Sequence, residues 1–180
     1  MWWLGRSTGF LGYMAAWLST LFGVLVAGKS VPTSVLDRGV VLELHRQWSI
    51  ATLIVMVIHV FLIVGNSHSG VSVWAALIPL ASSTLRGPVT LGTLASLGFL
   101  AIAITTAVYR QLPNWAWRAV HASAFGTFVL VLVHGLYAGT DHQAFWVKGM
   151  YGITVGILSF AIFYRVHTAL SSEMAEAEQS

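Results

Sequence analysis

The sequence predicts an all-α integral membrane protein, a bundle of about five transmembrane helices. Its composition is the first reason: 57% of the 180 residues are hydrophobic and 8% are charged, whereas about 25% are charged in a typical soluble domain. The mean hydropathy of +0.78 agrees. A soluble chain of this length cannot bury so much apolar surface, so we expect a lipid bilayer around it.

Five apolar segments are the second reason, because a bilayer core takes about 20 helical residues. They are Thr8–Gly28, Val41–Val64, Val89–Tyr109, Ala116–Tyr137 and Val147–Val166. Val71–Ser83 is apolar too, but it is short and contains Pro79, which favours an interfacial or re-entrant helix. We expect one domain over residues 1–170 and a flexible acidic tail over residues 171–180.

The few charges predict the topology. Five spans put the termini on opposite sides, with Arg6, Arg86 and Lys148 on one side. The other side carries Lys29, Arg38, Arg46, Arg110, Arg118 and Arg165. The positive-inside rule then predicts an outer amino terminus and a cytoplasmic carboxyl terminus in a prokaryotic cytoplasmic membrane. The net charge of +3 reports topology, and we expect no nucleic-acid partner.

Four histidines lie in two matched pairs within these spans. Thirteen residues separate His45 from His59 on the second span, and twelve separate His121 from His134 on the fourth. Because one span lies between them, the two histidine helices run parallel, which places His45 level with His121 and His59 level with His134. The two levels are about 20 Å apart at a rise of about 1.5 Å per residue.

Imidazoles in lipid are costly and usually functional, so four of them at matched depths indicate a buried cofactor. Two stacked haems, held by the pairs His45/His121 and His59/His134, are the simplest cofactor that needs this arrangement. The chain has no cysteine, which excludes thiolate ligation and covalent attachment and leaves noncovalent b-type haem. Two axial histidines favour electron transfer over chemistry on a bound substrate.

The spacing of the second pair raises a geometrical difficulty. Fourteen positions on an ideal helix bring His59 within roughly 40° of His45, but thirteen positions turn His134 roughly 140° from His121. A tilt, kink or change of winding is therefore required between His121 and His134, and Gly126 is a candidate position for it. We expect five glycines within the last three spans to allow close helix packing; they are Gly92, Gly98, Gly126, Gly152 and Gly156.

The motifs around these histidines resemble the ferric reductase-like transmembrane domain family, which includes ferric reductases, NADPH oxidases and the bacterial haem subunit of a periplasmic methionine-sulfoxide reductase. The similar stretches are Arg6-Ser7-Thr8-Gly9, Leu44-His45-Arg46 with Ser49, Trp117-Arg118-Ala119-Val120-His121, His134-Gly135 and Gly139-Thr140-Asp141. The resemblance covers about residues 5–168 and is greatest to short bacterial members. It implies two b-type haems, one above the other, on the four histidines.

The chain also departs from the large members of that family, which have six core helices and a cytoplasmic region that binds flavin and nicotinamide. From the span count we expect this sequence to lack the first of those helices, and about fifteen residues follow its last span. It has no glycine-rich phosphate loop after a strand. We therefore expect an electron-transfer component without a complete catalytic site, which receives electrons from a redox partner protein or a membrane quinol.

Several polar residues allow two interpretations. Arg46 and Arg118 flank the histidines on the cytoplasmic side, either as haem-propionate partners or as ordinary interface anchors. Three outer-loop residues could dock an acceptor or bind a metal ion, but we favour ordinary exposed polarity of a loop; they are His68, Asp141 and His142. Two other functions stay open for the whole chain: an accessory haem subunit of a larger respiratory or photosynthetic complex, and a haem-free scaffold or transporter with a proton path.

Overall fold

The structure, a computed structural model, describes residues 2–28, 37–141 and 143–177. Its helices are α1 (Trp2–Ala27), α2 (Arg38–Val64), α3 (Val73–Leu77), α4 (Arg86–Ala107), α5 (Asn114–Ala122), α6 (Ala124–Ala138) and α7 (Phe145–Ala177). A 3₁₀ turn at Tyr109–Gln111 joins α4 to α5, and these described ranges contain no strand. Five helical stretches are long and apolar enough to cross a membrane: α1, α2, α4, α5 with α6, and most of α7. The predicted five-helix architecture is confirmed.

The helices extend beyond the apolar segments from which they were predicted. Helix α1 begins at Trp2 instead of Thr8, and α7 continues past Val166 to Ala177. Hydropathy marks only the part of a helix that lies in lipid, whereas backbone hydrogen bonds carry the helix on into polar sequence. The turn residues from Lys29 to Pro32, and the loop residue His142, lie outside the described part of the chain.

The segment around Pro79 contains a short helix that does not span, as predicted. Helix α3 has only five residues, and the Ser72 hydroxyl caps it by accepting from the Ala75 N–H at 3.2 Å. The Thr93 hydroxyl of α4 donates to the Ala75 carbonyl at 2.8 Å. This bond holds α3 against α4.

The spanning helices pack as two antiparallel pairs, α1 with α2 and α4 with α6, which meet where α1 contacts α6 and α7. The buried core lies at that meeting point, around Tyr13, Phe128 and Tyr151. The Tyr13 hydroxyl bonds the Thr154 hydroxyl at 2.6 Å, and the rings of Tyr13 and Tyr151 meet at 4.7 Å. Because α2 has no extended contact with α6, a space remains between the two pairs, which we call the inter-pair slot.

The outer surface of the bundle is apolar. The accessible surface is 11347 Å², whereas a soluble monomer of this mass exposes about 8,500 Å². Large side chains stand exposed along α2 and α7, including Phe61 at 74%, Phe160 at 69% and Phe163 at 67%. Such exposed apolar faces are what lipid-facing helices present.

The fourth span is two helices, and its break differs from the predicted one. The helix is interrupted at Ser123, where the Ser123 N–H reaches both the Ala119 and Val120 carbonyls and its hydroxyl donates to the Val120 carbonyl at 2.6 Å. A short polar side chain that bonds its own preceding turn commonly bends a helix. The prediction of a change of winding is confirmed, but its placement at Gly126 was wrong. Ser123 itself keeps right-handed helical backbone angles (φ −63°, ψ −9°), so the change of winding is confined to this residue and its bonds to the preceding turn.

The glycines have unequal roles. A Cβ atom at Gly92 or Gly98 would lie 2.7 Å from an atom of α6, so these two glycines do allow close packing. Gly126, Gly152 and Gly156 have no atom within 4 Å of that position among the described residues. The packing prediction was wrong for these three, because their helix faces point away from the bundle.

Candidate functional site

The four histidines meet in two pairs across the inter-pair slot. The ring centres of His45 and His121 are 6.0 Å apart, and those of His59 and His134 are 6.4 Å apart. The ring planes are nearly perpendicular in both pairs, at 75° and 83°. The structure therefore brings together the residues that were predicted to pair, level by level. We call the pair His59/His134 the amino-terminal site, since it lies beside the start of α1, and His45/His121 the carboxyl-terminal site.

These separations fit a metal ion held between two imidazoles. A ligating imidazole nitrogen lies about 2.0 Å from a transition metal and its ring centre about 1.1 Å further, so two opposed ligands have ring centres about 6.2 Å apart. Direct contact between two imidazoles, by stacking or by a hydrogen bond, would not explain why both pairs have nearly the same distance between ring centres. The donor set suits haem iron, for which neutral histidine is a common axial ligand.

Three of the four rings are held by backbone carbonyls. Nδ1 of His45 donates to the Ser19 carbonyl at 2.8 Å, Nδ1 of His59 to the Gly5 carbonyl at 3.0 Å, and Nδ1 of His134 to the Pro88 carbonyl at 2.7 Å. A proton on Nδ1 leaves the Nε2 lone pair free, which is the tautomer that a metal needs. Metal-binding histidines usually have such a partner on their second nitrogen.

A glycine completes each of these three anchors. It stands four residues after the accepting carbonyl, on the same helix face: Gly23 after Ser19, Gly9 after Gly5, and Gly92 after Pro88. A Cβ atom there would lie 3.2 Å, 3.3 Å and 2.7 Å, respectively, from Cε1 of the anchored ring. The missing side chain thus makes the room in which each imidazole sits. We call carbonyl and glycine together a histidine cradle.

His121 has no cradle. Its ring is half-buried, and Nδ1 is buried without a hydrogen-bond partner among the described residues. The ring stacks instead on Trp117, one helical turn earlier, with centres 5.1 Å apart and planes 26° apart. The indole Nε1 of Trp117 is likewise buried without a partner in the described structure.

Motifs far apart in sequence meet at the amino-terminal site. Arg6 forms an ion pair with Asp141, which ties the start of α1 to the loop after α6. The Thr8 hydroxyl approaches Nδ1 of His59 at 3.3 Å. At the carboxyl-terminal site, the Ser49 hydroxyl bonds the Ser19 hydroxyl at 2.7 Å, on the residue whose carbonyl holds the His45 ring.

A cavity of about 260 Å³ surrounds the amino-terminal site. It opens between α1, α2, α4 and α6, and both His59 and His134 line it. Most of its wall is apolar, and the ion pair of Arg6 and Asp141 supplies charge at one part of that wall. Concave, mostly apolar spaces with a few converging polar groups are the usual form of cofactor sites.

The two arginines considered as haem-propionate partners or interface anchors are both exposed. Arg46 pairs with Glu43 one turn away at 3.0 Å, and its side chain is 67% exposed. Arg118 is exposed as well. His68 lies in the exposed loop after α2, where its ring Nδ1 lies 3.3 Å from the Ser67 hydroxyl. Within the described ranges no cluster of three or more His, Asp or Glu side chains could hold a metal ion, so the histidine pairs are the metal-ligand candidates there.

Comparison of the chain with protein-family models, with curated proteins and with solved structures finds no match. The resemblance to the ferric reductase-like family therefore depends on the quoted motifs.

The residues that sequence reasoning missed are those of the cradles. Gly9 and Gly23 are fourteen residues apart, the same separation as His45 and His59 on the neighbouring helix. That match was the available signal for an antiparallel helix carrying two cradles. The ion pair of Arg6 and Asp141 had no such signal, because its members are 135 positions apart in the sequence.

Proposed function

We propose that this chain is a di-haem b-type membrane cytochrome that transfers electrons across a prokaryotic cytoplasmic membrane. The observation that carries the proposal is the pairing of four histidines at the spacing of two imidazoles on one metal ion, 6.0 Å and 6.4 Å between ring centres. Three Nδ1 atoms with carbonyl partners support it further, because they leave Nε2 free as the ligand.

In this proposal the four histidines act as haem ligands, two at each site. His45 with His121, and His59 with His134, would hold one haem each from opposite sides of the slot. A bound haem supplies an iron that alternates between the ferric and ferrous states. The protein sets the potential through its axial ligands, their hydrogen bonds, nearby charge and burial.

The proposed donor acts from the carboxyl-terminal side, as a flavoprotein or a membrane quinol, and the acceptor lies on the outer side. Cationic side chains on that side support a donor with acidic character, because charge of one sign steers an oppositely charged partner. In the described structure they include Arg38, Arg46, Arg110, Arg118 and Arg165.

The test is haem quantification in the purified, detergent-solubilised chain. We expect about two noncovalent haems per chain that acidified organic solvent extracts, both six-coordinate and low-spin in optical spectra. The near-perpendicular ring planes predict strongly anisotropic ferric signals in electron paramagnetic resonance, which adventitious haem would not give. Dithionite should reduce both haems. A folded preparation that binds no haem, even when haem is supplied during expression, would overturn the proposal and leave the proton-path alternative.

A further inference from the structure

The three cradled histidines and the uncradled His121 give the two sites unequal ligand sets. At the amino-terminal site both rings have a carbonyl partner on Nδ1. At the carboxyl-terminal site only His45 has one. Loss of the partner on the second nitrogen typically weakens a histidine–metal site by about 10–100-fold, because the partner orients the ring and raises its basicity.

The sequence of α4 explains why that helix offers His121 no cradle. Gly92 of α4 lies against His134, and Gly98 of α4 lies against Thr127. Both contacts are made with α6, on the far side of Ser123 from His121. From Gly98 to its end at Ala107, α4 contains no further glycine. It therefore lacks the residue that makes room for the ring in the other three cradles.

The helix that carries His121, α5, is also short and incompletely buried. Helix α5 has nine residues and ends at Ala122, directly before the break at Ser123. None of its residues is fully buried. His59, in contrast, lies within the uninterrupted helix of 27 residues that also carries His45. A ring on a short, incompletely buried helix is held by fewer packing contacts than a ring in the middle of a long helix.

We propose that His121 is a displaceable axial ligand, which makes the carboxyl-terminal site a binding site for a small diatomic molecule. This inference rests on the proposed function, since it needs haem at that site. The exchange breaks the bond between ferrous iron and Nε2 of His121 and forms one bond from iron to the incoming molecule, with no change in electron count. The cradled site exchanges no ligand, and the ring of Trp117 holds His121 in place when the molecule is absent.

Carbon monoxide added to the dithionite-reduced protein tests the proposal. We expect one molecule bound per two haems, read from the optical difference spectrum. The doubly substituted protein His59→Ala/His134→Ala should keep this response, and His45→Ala/His121→Ala should lose it. Binding to neither haem, to both haems equally, or to the amino-terminal site would overturn the inference. The haem content itself, two per chain, is measured separately and decides the proposed function.

A second pair of variants keeps the test independent of folding defects in the histidine variants. Trp117→Leu removes the ring that stacks on His121 and should raise the affinity for carbon monoxide several-fold. Trp115→Leu is the matched control, because Trp115 stands on the same helix and is 75% exposed. Unchanged affinity in Trp117→Leu with two haems retained would overturn the assignment of His121 as the displaced ligand.

Discussion

At the scale of single residues, Gly92 is the cradle glycine whose Cβ position lies closest to its histidine ring. A Cβ atom there would lie 2.7 Å from Cε1 and 2.8 Å from Nδ1 of His134. Gly92→Ala must therefore push the ring away from the Pro88 carbonyl, and we expect haem affinity at the amino-terminal site to fall about 10–100-fold. Haem content by optical titration measures the loss.

Gly126→Ala is the control for this substitution. Nothing lies within 4 Å of its Cβ position among the described residues. Both substitutions gain about 1 kcal/mol of helix propensity, so only the contact with the ring differs between them. Equal haem content in the two variants would contradict the role that we assign to the cradle.

Substitutions of Arg6 and of Asp141 should shift the midpoint potential of the haem at the amino-terminal site in opposite directions. Both line the cavity of the amino-terminal site, and they neutralise each other as an ion pair. Arg6→Gln removes a positive charge and should lower the midpoint potential of that haem, whereas Asp141→Asn should raise it. The expected size is roughly 30–70 mV, the effect of a unit charge at about 10–20 Å with an effective dielectric constant of about 20.

Spectroelectrochemical titration of the two variants and of the double variant Arg6→Gln/Asp141→Asn measures these shifts. The double variant should return close to the wild-type potential, since it restores neutrality without the ion pair. Shifts of the same sign in both single variants would show that loss of the contact, and not charge, sets the potential.

Sequence reasoning reached the histidine pairs but not the groups that hold them. Counting spans was enough to place His45 level with His121, because direction and depth follow from helix length alone. The partner of each Nδ1 depends on which neighbouring helix packs against the histidine helix and at what rotation. Neither quantity is encoded in the hydropathy of one segment, so the carbonyls of Ser19, Gly5 and Pro88 could not be predicted.

At the scale of elements, the break at Ser123 was the hardest feature to locate. Serine is compatible with a helix, and the nearby Gly126 has the lower helix propensity of the two residues. The hydroxyl of Ser123 satisfies the Val120 carbonyl at the joint, which lowers the cost of the interruption. The need for a break was predictable from the spacing of His121 and His134, whereas its position depended on this local bond.

The parallel direction of α2 and α5–α6 predicts paired mutant phenotypes. His45→Ala and His121→Ala should remove the same haem, and His59→Ala and His134→Ala should remove the other. Low-temperature optical spectra of the four variants distinguish the two haems through their remaining absorption bands. A shared phenotype of His45→Ala and His134→Ala would mean that the histidine helices are antiparallel, and it would contradict the pairs that face each other here.

At the scale of the whole molecule, the exposed apolar surface indicates a lipid environment. It does not determine which side of the protein faces the cytoplasm. The side of α1's first turn carries Arg6, Arg86 and Lys148, and one of these cations is already neutralised by Asp141. The opposite side carries more cations in the described part alone, with Arg38, Arg46, Arg110, Arg118 and Arg165. Because the positive-inside rule counts Lys and Arg and gives acidic residues little weight, this excess of cations predicts that the carboxyl-terminal side faces the cytoplasm.

Reporter fusions test the orientation that follows from this asymmetry. A green fluorescent protein fused after Ser180 should fluoresce, because the carboxyl-terminal side faces the cytoplasm, and alkaline phosphatase at the same position should be inactive. Alkaline phosphatase inserted in the loop after α2, between Ser69 and Gly70, should be active. The reverse pattern would place the carboxyl-terminal site, with its displaceable His121, beneath the outer surface, and the proposed direction of electron flow would be wrong.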